Sequence, residues 1–238
     1  MINKEFKEQF APTFSKQMHQ IGFTGTGHQY TMSTQTFLFA VELEINKHNQ
    51  INLFFGIQPT AILTMADYKA QNVKNIGPQS CELTIQLTKL SKKPFWNVGI
   101  NKQENEKEAH DVFTFIQKNV VPIIAKYITN PYLLDKIEPS DLNDKNIMFQ
   151  KLYGMHPVGM PSRTAWMLAI YHEDKDLARS KAFARYGLES LGLPTVEITS
   201  EIKKMLDCDC VSGNVFGGDY SQDDTFFGIP DLKRVDKK

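Results

Sequence analysis

The chain has 238 residues, 41% of them hydrophobic and 23% charged, which is enough apolar material for a folded core and argues against disorder. Lys plus Arg equals Asp plus Glu at 27 each, and this balance excludes the general nucleic-acid binders that rely on a basic excess. An odd count of three cysteines does not make a disulfide framework, and no apolar run has the length of a secretory leader or a membrane span, so a cytoplasmic protein is expected.

Residues 3 to 21 read as a helix. Asn3 is the cap, and Phe6, Phe10, Phe14, Met18 and Ile21 recur at helical spacing. Pro12 falls inside the pattern, so a kink or break is expected there, and Gly22 is the stop. A short strand or turn follows near Tyr30. Alternation is then nearly free of error in three segments. Phe37, Phe39, Val41, Leu43 and Ile45 share one face, as do Ile51, Leu53, Phe55 and Ile57, and then Leu83, Ile85 and Leu87. A period of two describes strands with one buried and one wet face. Lys47 to Gln50 is short and polar, as a hairpin connection should be.

Residues 59 to 80 form a long excursion with a helical turn expected near 64 to 70. The third strand is expected over 81 to 90 and a fourth over 95 to 100, with Lys92, Lys93 and Pro94 as the turn between them. Asn101 with Glu104 suits a capping box, and Ala109, Val112, Phe113, Ile116, Val120, Ile123, Ile124 and Tyr127 outline a long helix that Pro122 interrupts. Beyond a turn-rich boundary over 139 to 160, helices are expected over 164 to 171, 177 to 191 and 195 to 206. The segment 207 to 231 carries six Asp and no Lys or Arg, and Lys233, Arg234, Lys237 and Lys238 reverse the sign. The fold class is therefore α+β. An antiparallel β-meander of about four strands is covered by the N-terminal and long central helices, and a mainly helical C-terminal part follows. The expected organisation is a sheet domain over 1–138, a helical region over 139–211, and an acidic aromatic tail with a basic end over 212–238.

No catalytic residues are assigned. The chain has no Gly-x-Ser-x-Gly elbow, His-Glu-x-x-His pair or Walker loop, and Gly25-Thr26-Gly27 is too short to cradle phosphate. Cys208 and Cys210 are closer in sequence than zinc ligands prefer, so thiols at a helix end are expected, with no metal and no cofactor. His110 with Asp111, and His172 with Glu173 and Asp174, read as solvated surface, because neighbouring helical residues point apart. Glu42 and Glu44 lie on the polar face of the first long strand, and Thr84 and Gln86 on that of the third. That face is either plain solvent-exposed sheet, a carboxylate acid–base site, or a flat recognition surface. In the tail, Tyr220, Asp223, Asp224, Phe226 and Phe227 are the candidate binding residues.

Residues 3 to 136 resemble the bacterial domain of unknown function four-three-zero-four family. The shared run is the N-terminal helix with Phe6 and Pro12, Ile21-Gly22-Phe23, Tyr30, Gln35 to Ile45, Ile51 to Ile57, Cys81 to Leu87, and Trp96 before the long helix. This chain has Glu82 and Gln86 where family members often have His and Arg. The resemblance implies no activity and no catalytic residues. Related small domains occur beside contact-dependent toxins, some as immunity proteins. The expectation is a non-enzymatic protein-binding module, an immunity protein whose partner is a cognate toxin, with neither nucleic acid nor membrane bound. The alternatives are a small-ligand protein or hydrolase with a carboxylate site between the sheet and the C-terminal helices, and an adaptor using the helical hairpin 164–191.

Overall fold

The computed structural model describes residues 4–63, 76–90, 96–159 and 161–190. Asn3, the turn expected over 64 to 70, Lys92 to Pro94, the helix over 195 to 206 and the whole tail lie outside the described residues.

The N-terminal helix begins as a π-helical turn, Phe6–Phe10, and continues as α1, Ala11–Gln20. Pro12 has no N–H and stands in the first turn of α1, where none is needed. The Ala11 N–H reaches back five residues to the Phe6 carbonyl, so the change of helix type occurs just before the proline. Phe6, Phe10 and Phe14 line up with ring centroids 5.1 and 5.6 Å apart, and Phe14 meets the edge of Tyr30 at 5.2 Å. Gly22 at φ 91° ends the helix. Its N–H bonds the His19 carbonyl and that of Phe23 bonds Met18, the paired pattern of a Schellman stop.

Strands β1 (Thr24–Thr26), β2 (Gln29–Ser33), β3 (Phe37–Ile45), β4 (Gln50–Pro59) and β5 (Leu83–Gln86) follow in order as antiparallel neighbours. The short β6 (Trp96–Asn97) pairs with the start of β4, and β7 (His156–Pro157) pairs with β5. The meander expected from alternation is present. Beyond it, β1, β2 and β7 widen the sheet. The third strand is shorter than expected, because Leu87–Leu90 turns into 3-10 helix. The β3–β4 connection is closed by Asn46, whose side-chain oxygen accepts the His48 and Gln50 N–H groups, with Asn49 at φ 58°.

Helix α2 (Lys102–Asn119) is capped by Asn101, which accepts the Glu104 N–H at 3.0 Å. The Glu104 carboxylate reaches Ile100 N rather than the cap residue, a box displaced by one position. The expected interruption at Pro122 separates α2 from α3 (Val121–Thr129). Asn105 is fully buried within α2 and fully engaged. Its Nδ2 donates to Gln9, Gly99 and Asn101, and its Oδ1 accepts from Gly99 N. The alternating face of the sheet packs against these helices in one large cluster. Tyr127 touches Phe37 edge-on at 5.1 Å and donates to the Leu152 carbonyl at 2.9 Å.

Past position 139 come α4 (Lys145–Lys151), α5 (Pro161–His172) and α6 (Leu177–Ser190). Ala165, Met167, Leu168, Ala169, Phe183 and Ala184 from the last two join the same large cluster as the sheet. The second face carries its own small cluster. Leu38 and Ala40 meet Ile76 and Cys81, with Leu63 packed against them. Ala40 stands opposite Gly56 in the ladder, and a β-carbon added at Gly56 would lie 2.6 Å from the Pro78 Cα and 2.8 Å from the Cys81 sulfur. The missing side chain is what lets the 76–81 turn lie directly on the sheet. Gly56→Ala is therefore expected to cost about 1–3 kcal/mol, since backbone must move to admit the methyl group. Urea unfolding measures this, and a loss below the error of the method would show that the turn is not in contact.

Candidate functional site

The register converts the second sheet face into rows of side chains. One row runs Gln29, Glu42, Phe54, Gln86 across β2 to β5. The next runs Thr31, Ala40, Gly56, Thr84, His156, and Glu44 stands opposite Asn52. The sequence-expected residues Glu42, Glu44, Thr84 and Gln86 thus share one face, with Glu42 and Gln86 in a single row separated by Phe54. Tyr220, Asp223, Asp224, Phe226 and Phe227 lie outside the described residues, as do Cys208 and Cys210.

These four positions differ in character. Glu42 is half-buried and Glu44 exposed. Burial pushes the Glu42 carboxyl above its ordinary value, His28 opposes this, and Glu44 adds to it. Gly77 closes over the Gln29–Glu42 pair. A β-carbon there would sit 3.2 Å from Glu42 Oε2 and 3.3 Å from Gln29 Nε2. The Thr84 hydroxyl donates to the Phe55 carbonyl at 3.3 Å, a long bond that leaves it a minor anchor. Phe54 is half-buried in the middle of its row, and Gln86 stands at its far end. The face therefore combines two carboxylates, three amides from Gln29, Asn52 and Gln86, and a half-exposed aromatic ring. His28, at the β2 edge beside Glu42, also lines a cleft of about 510 Å³ with Phe6, Lys7, Ala11, Pro12 and Ser15.

Sequence reasoning did not place Glu82 in a site. It is 1% exposed and forms a two-pronged pair with Arg163 of α5, Nη2 to Oε1 at 2.6 Å and Nε to Oε2 at 3.2 Å. Gln58, also fully buried, accepts the Glu82 N–H at 2.8 Å and donates to the Ile62 carbonyl at 2.7 Å. The Glu82 carbonyl accepts from Val158 N at 2.9 Å. The carboxylate that lies between the sheet and α5 is thus Glu82, which the sequence did not single out, and both its oxygens are held by Arg163. Burial pushes this carboxyl up and the guanidinium pulls it down. The pair spans 81 positions in sequence, which no local pattern reveals.

Cys81 is buried, and its thiol is pushed far above the ordinary range by burial and by Glu82. A thiol held protonated in this way is a poor nucleophile. Among the described residues no three His, Cys, Asp or Glu side chains stand together to hold a metal ion. No helix among the described residues is long and apolar enough to cross a membrane. His110 is exposed, as expected, and its Nδ1 accepts from Gln17 Nε2 at 3.0 Å. His172 is not on the solvated surface. It is 2% exposed, because α5 turns this end inward against Phe183 of α6.

Comparison with known protein families, with curated proteins and with solved structures finds no match to the chain.

Replacing Arg163 by Met strands the Glu82 carboxylate, and a loss of about 3–5 kcal/mol at pH 7 is expected. Without the guanidinium the folded carboxyl titrates still higher than in the unfolded chain. The fold then binds that proton more tightly, so stability falls as pH rises through the carboxyl range and recovers on acidification. Urea unfolding at pH 7 and pH 5 checks this. An equal loss at both values would show that Glu82 does not carry the effect.

Proposed function

We propose that this chain is a non-enzymatic protein-binding module, an immunity protein that covers a basic surface of a bacterial toxin with the Glu42–Phe54–Gln86 face of its sheet. The observation that carries the proposal is the row Gln29, Glu42, Phe54, Gln86 with Glu44 and Asn52 beside it. It sets a half-exposed aromatic ring among carboxylates and amides on rigid strands. Interfaces draw much of their affinity from a few such central anchors, and charge around them selects the partner. Two glutamates and no Lys or Arg in these rows favour a partner rich in Lys or Arg. The resemblance of residues 3 to 136 to a bacterial family supports the immunity form of this reading. In the tail, Tyr220, Phe226 and Phe227 are proposed further anchors and Asp223 and Asp224 further acidic contacts.

A second reading rests on Glu42 alone. Its carboxyl is pushed up by burial, as a general acid or a ligand-holding carboxylate would require. A carboxylate acting by itself gives less support than an ordered row of three polar side chains and a ring with Glu44 and Asn52 beside it.

Capture from the native cell tests the first reading. The wild-type chain should retain one stoichiometric basic partner. Phe54→Ala should weaken capture about thirtyfold, the equivalent of about 2 kcal/mol for a central anchor. A Glu42→Lys, Glu44→Lys double variant should abolish it while circular dichroism stays unchanged. Equal retention by the wild type and the double variant, or a wild type that captures nothing stoichiometric, removes the proposal.

A further inference from the structure

The α5–α6 hairpin meets the 3-10 turn Leu133–Lys136 and the residues just after it at a junction dense in ionisable groups. Its centre is His172, at the last position of α5 and 2% exposed. The imidazole lies parallel to the Phe183 ring at 5.6 Å between centroids, and the Tyr171 ring meets it edge-on at 5.0 Å. Its Nε2 is buried and has no hydrogen-bond partner among the described residues. Arg179 Nε nearby is likewise buried without a partner among the described residues, and Tyr171 lies beside Asp135. The hairpin is tied to the turn from the other side by Arg179, whose Nη2 donates to the Ile137 carbonyl and to Glu138, both at 2.6 Å. Ser180 closes the hairpin itself, donating to the Ala169 carbonyl at 2.7 Å.

We propose that His172 is a pH latch within the hairpin: protonation of its buried imidazole loosens α5 from α6 at the His172–Phe183 contact. Four charged groups act on this ring. Arg179 of α6 and Lys175 of the connecting loop oppose a second positive charge, whereas Asp135 of the turn and Asp176 of the loop favour it. Tyr171, next in sequence, lies beside Asp135 and carries Lys175 over its face at 3.6 Å, and Glu138 is already held by Arg179. Burial is the largest of these influences, and Arg179, which acts in the same direction, comes next. An imidazolium packed against Phe183 has lost water at Nε2 and gained no bond there in return. Burial accordingly holds His172 below the ordinary histidine value of 6.5.

The sign follows from linkage. A histidine whose folded value is lowered binds its proton more tightly in the opened state. The docked hairpin is fully stable above the ordinary value and loses stability as pH falls below it, until the folded value is reached. One proton gives at most about a tenfold change in the opening equilibrium per pH unit. Arg179 is permanently charged, so its contacts to Ile137 and Glu138 do not release in this window. Opening then begins at the His172 side of the junction.

Two measurements on the full chain test this. Nuclear magnetic resonance titration should place His172 below the ordinary histidine value of 6.5. Hydrogen exchange, corrected for its intrinsic pH dependence, should show protection of 161–190 falling up to tenfold per pH unit between pH 6.5 and 5.5. The same segment in His172→Gln should give a flat profile. A His172 titrating at or above 6.5, or an acid-induced loss that persists in the variant, overturns the proposal. Should the variant not fold, the wild-type titration alone decides.

Discussion

The antiparallel ladder between β3 and β4, from Phe37 opposite Pro59 to Ile45 opposite Ile51, is the constraint on which the rest of this structure depends. Its register puts Phe39 beside Phe55 and Val41 opposite that ring, so every second side chain of both strands enters one core. A slip of one residue would send that whole apolar set to the other face. Asn46 and Asn49 in the connecting turn fix the slip at zero. Once the ladder is set, the second face is set too. Its rows are read from the same pairs, and they bring Glu42, Phe54 and Gln86 into line.

That second face is divided. Near the Phe37 end it is apolar and covered, because Leu38, Ala40 and Gly56 accept the 76–81 turn. Near the Ile45 end it carries Glu42, Glu44 and Asn52. The division sets a covered apolar half beside a polar patch, with Gly77 against Glu42 and Gln29 at the boundary. Rigid strands lower the ordering cost of binding, so a surface built this way can recognise a partner without rearranging. Glu82 and Arg163 perform a separate task at the β5 side. Their two-pronged pair joins α5 to the sheet edge, and α5 brings His172 to the hairpin junction at its other end.

Much of this was legible in the sequence because it is local. Alternation gave the strands, Gly22 gave the helix stop, and Asn101 gave the start of α2. Glu42, Glu44, Thr84 and Gln86 were correctly assigned to one face by the same period of two. What escaped was non-local. Glu82 reads as one more polar residue beside a strand until Arg163 arrives from α5. His172 stands among Glu173, Asp174 and Lys175, so its neighbours in sequence suggest water, whereas its neighbours in space are Phe183 and Tyr171. A signal for the covered half of the second face was present: Ala40 and Gly56 are small residues at positions where a wet strand would carry long polar ones. Asn105 was equally silent, since a polar residue on the buried stripe of a helix is explained only by the Gln9 and Gly99 groups it meets.

Carboxyl footprinting with a water-soluble carbodiimide tests the central claim, that the Glu42 face is the partner surface, most directly. The chain would be labelled alone and after saturation with the purified partner. Labelling of Glu42 and Glu44 is predicted to fall on binding, while Glu106 and Asp111 on the outer side of α2 stay unchanged. Unchanged labelling of Glu42 and Glu44, with protection appearing on α2 instead, would contradict the account.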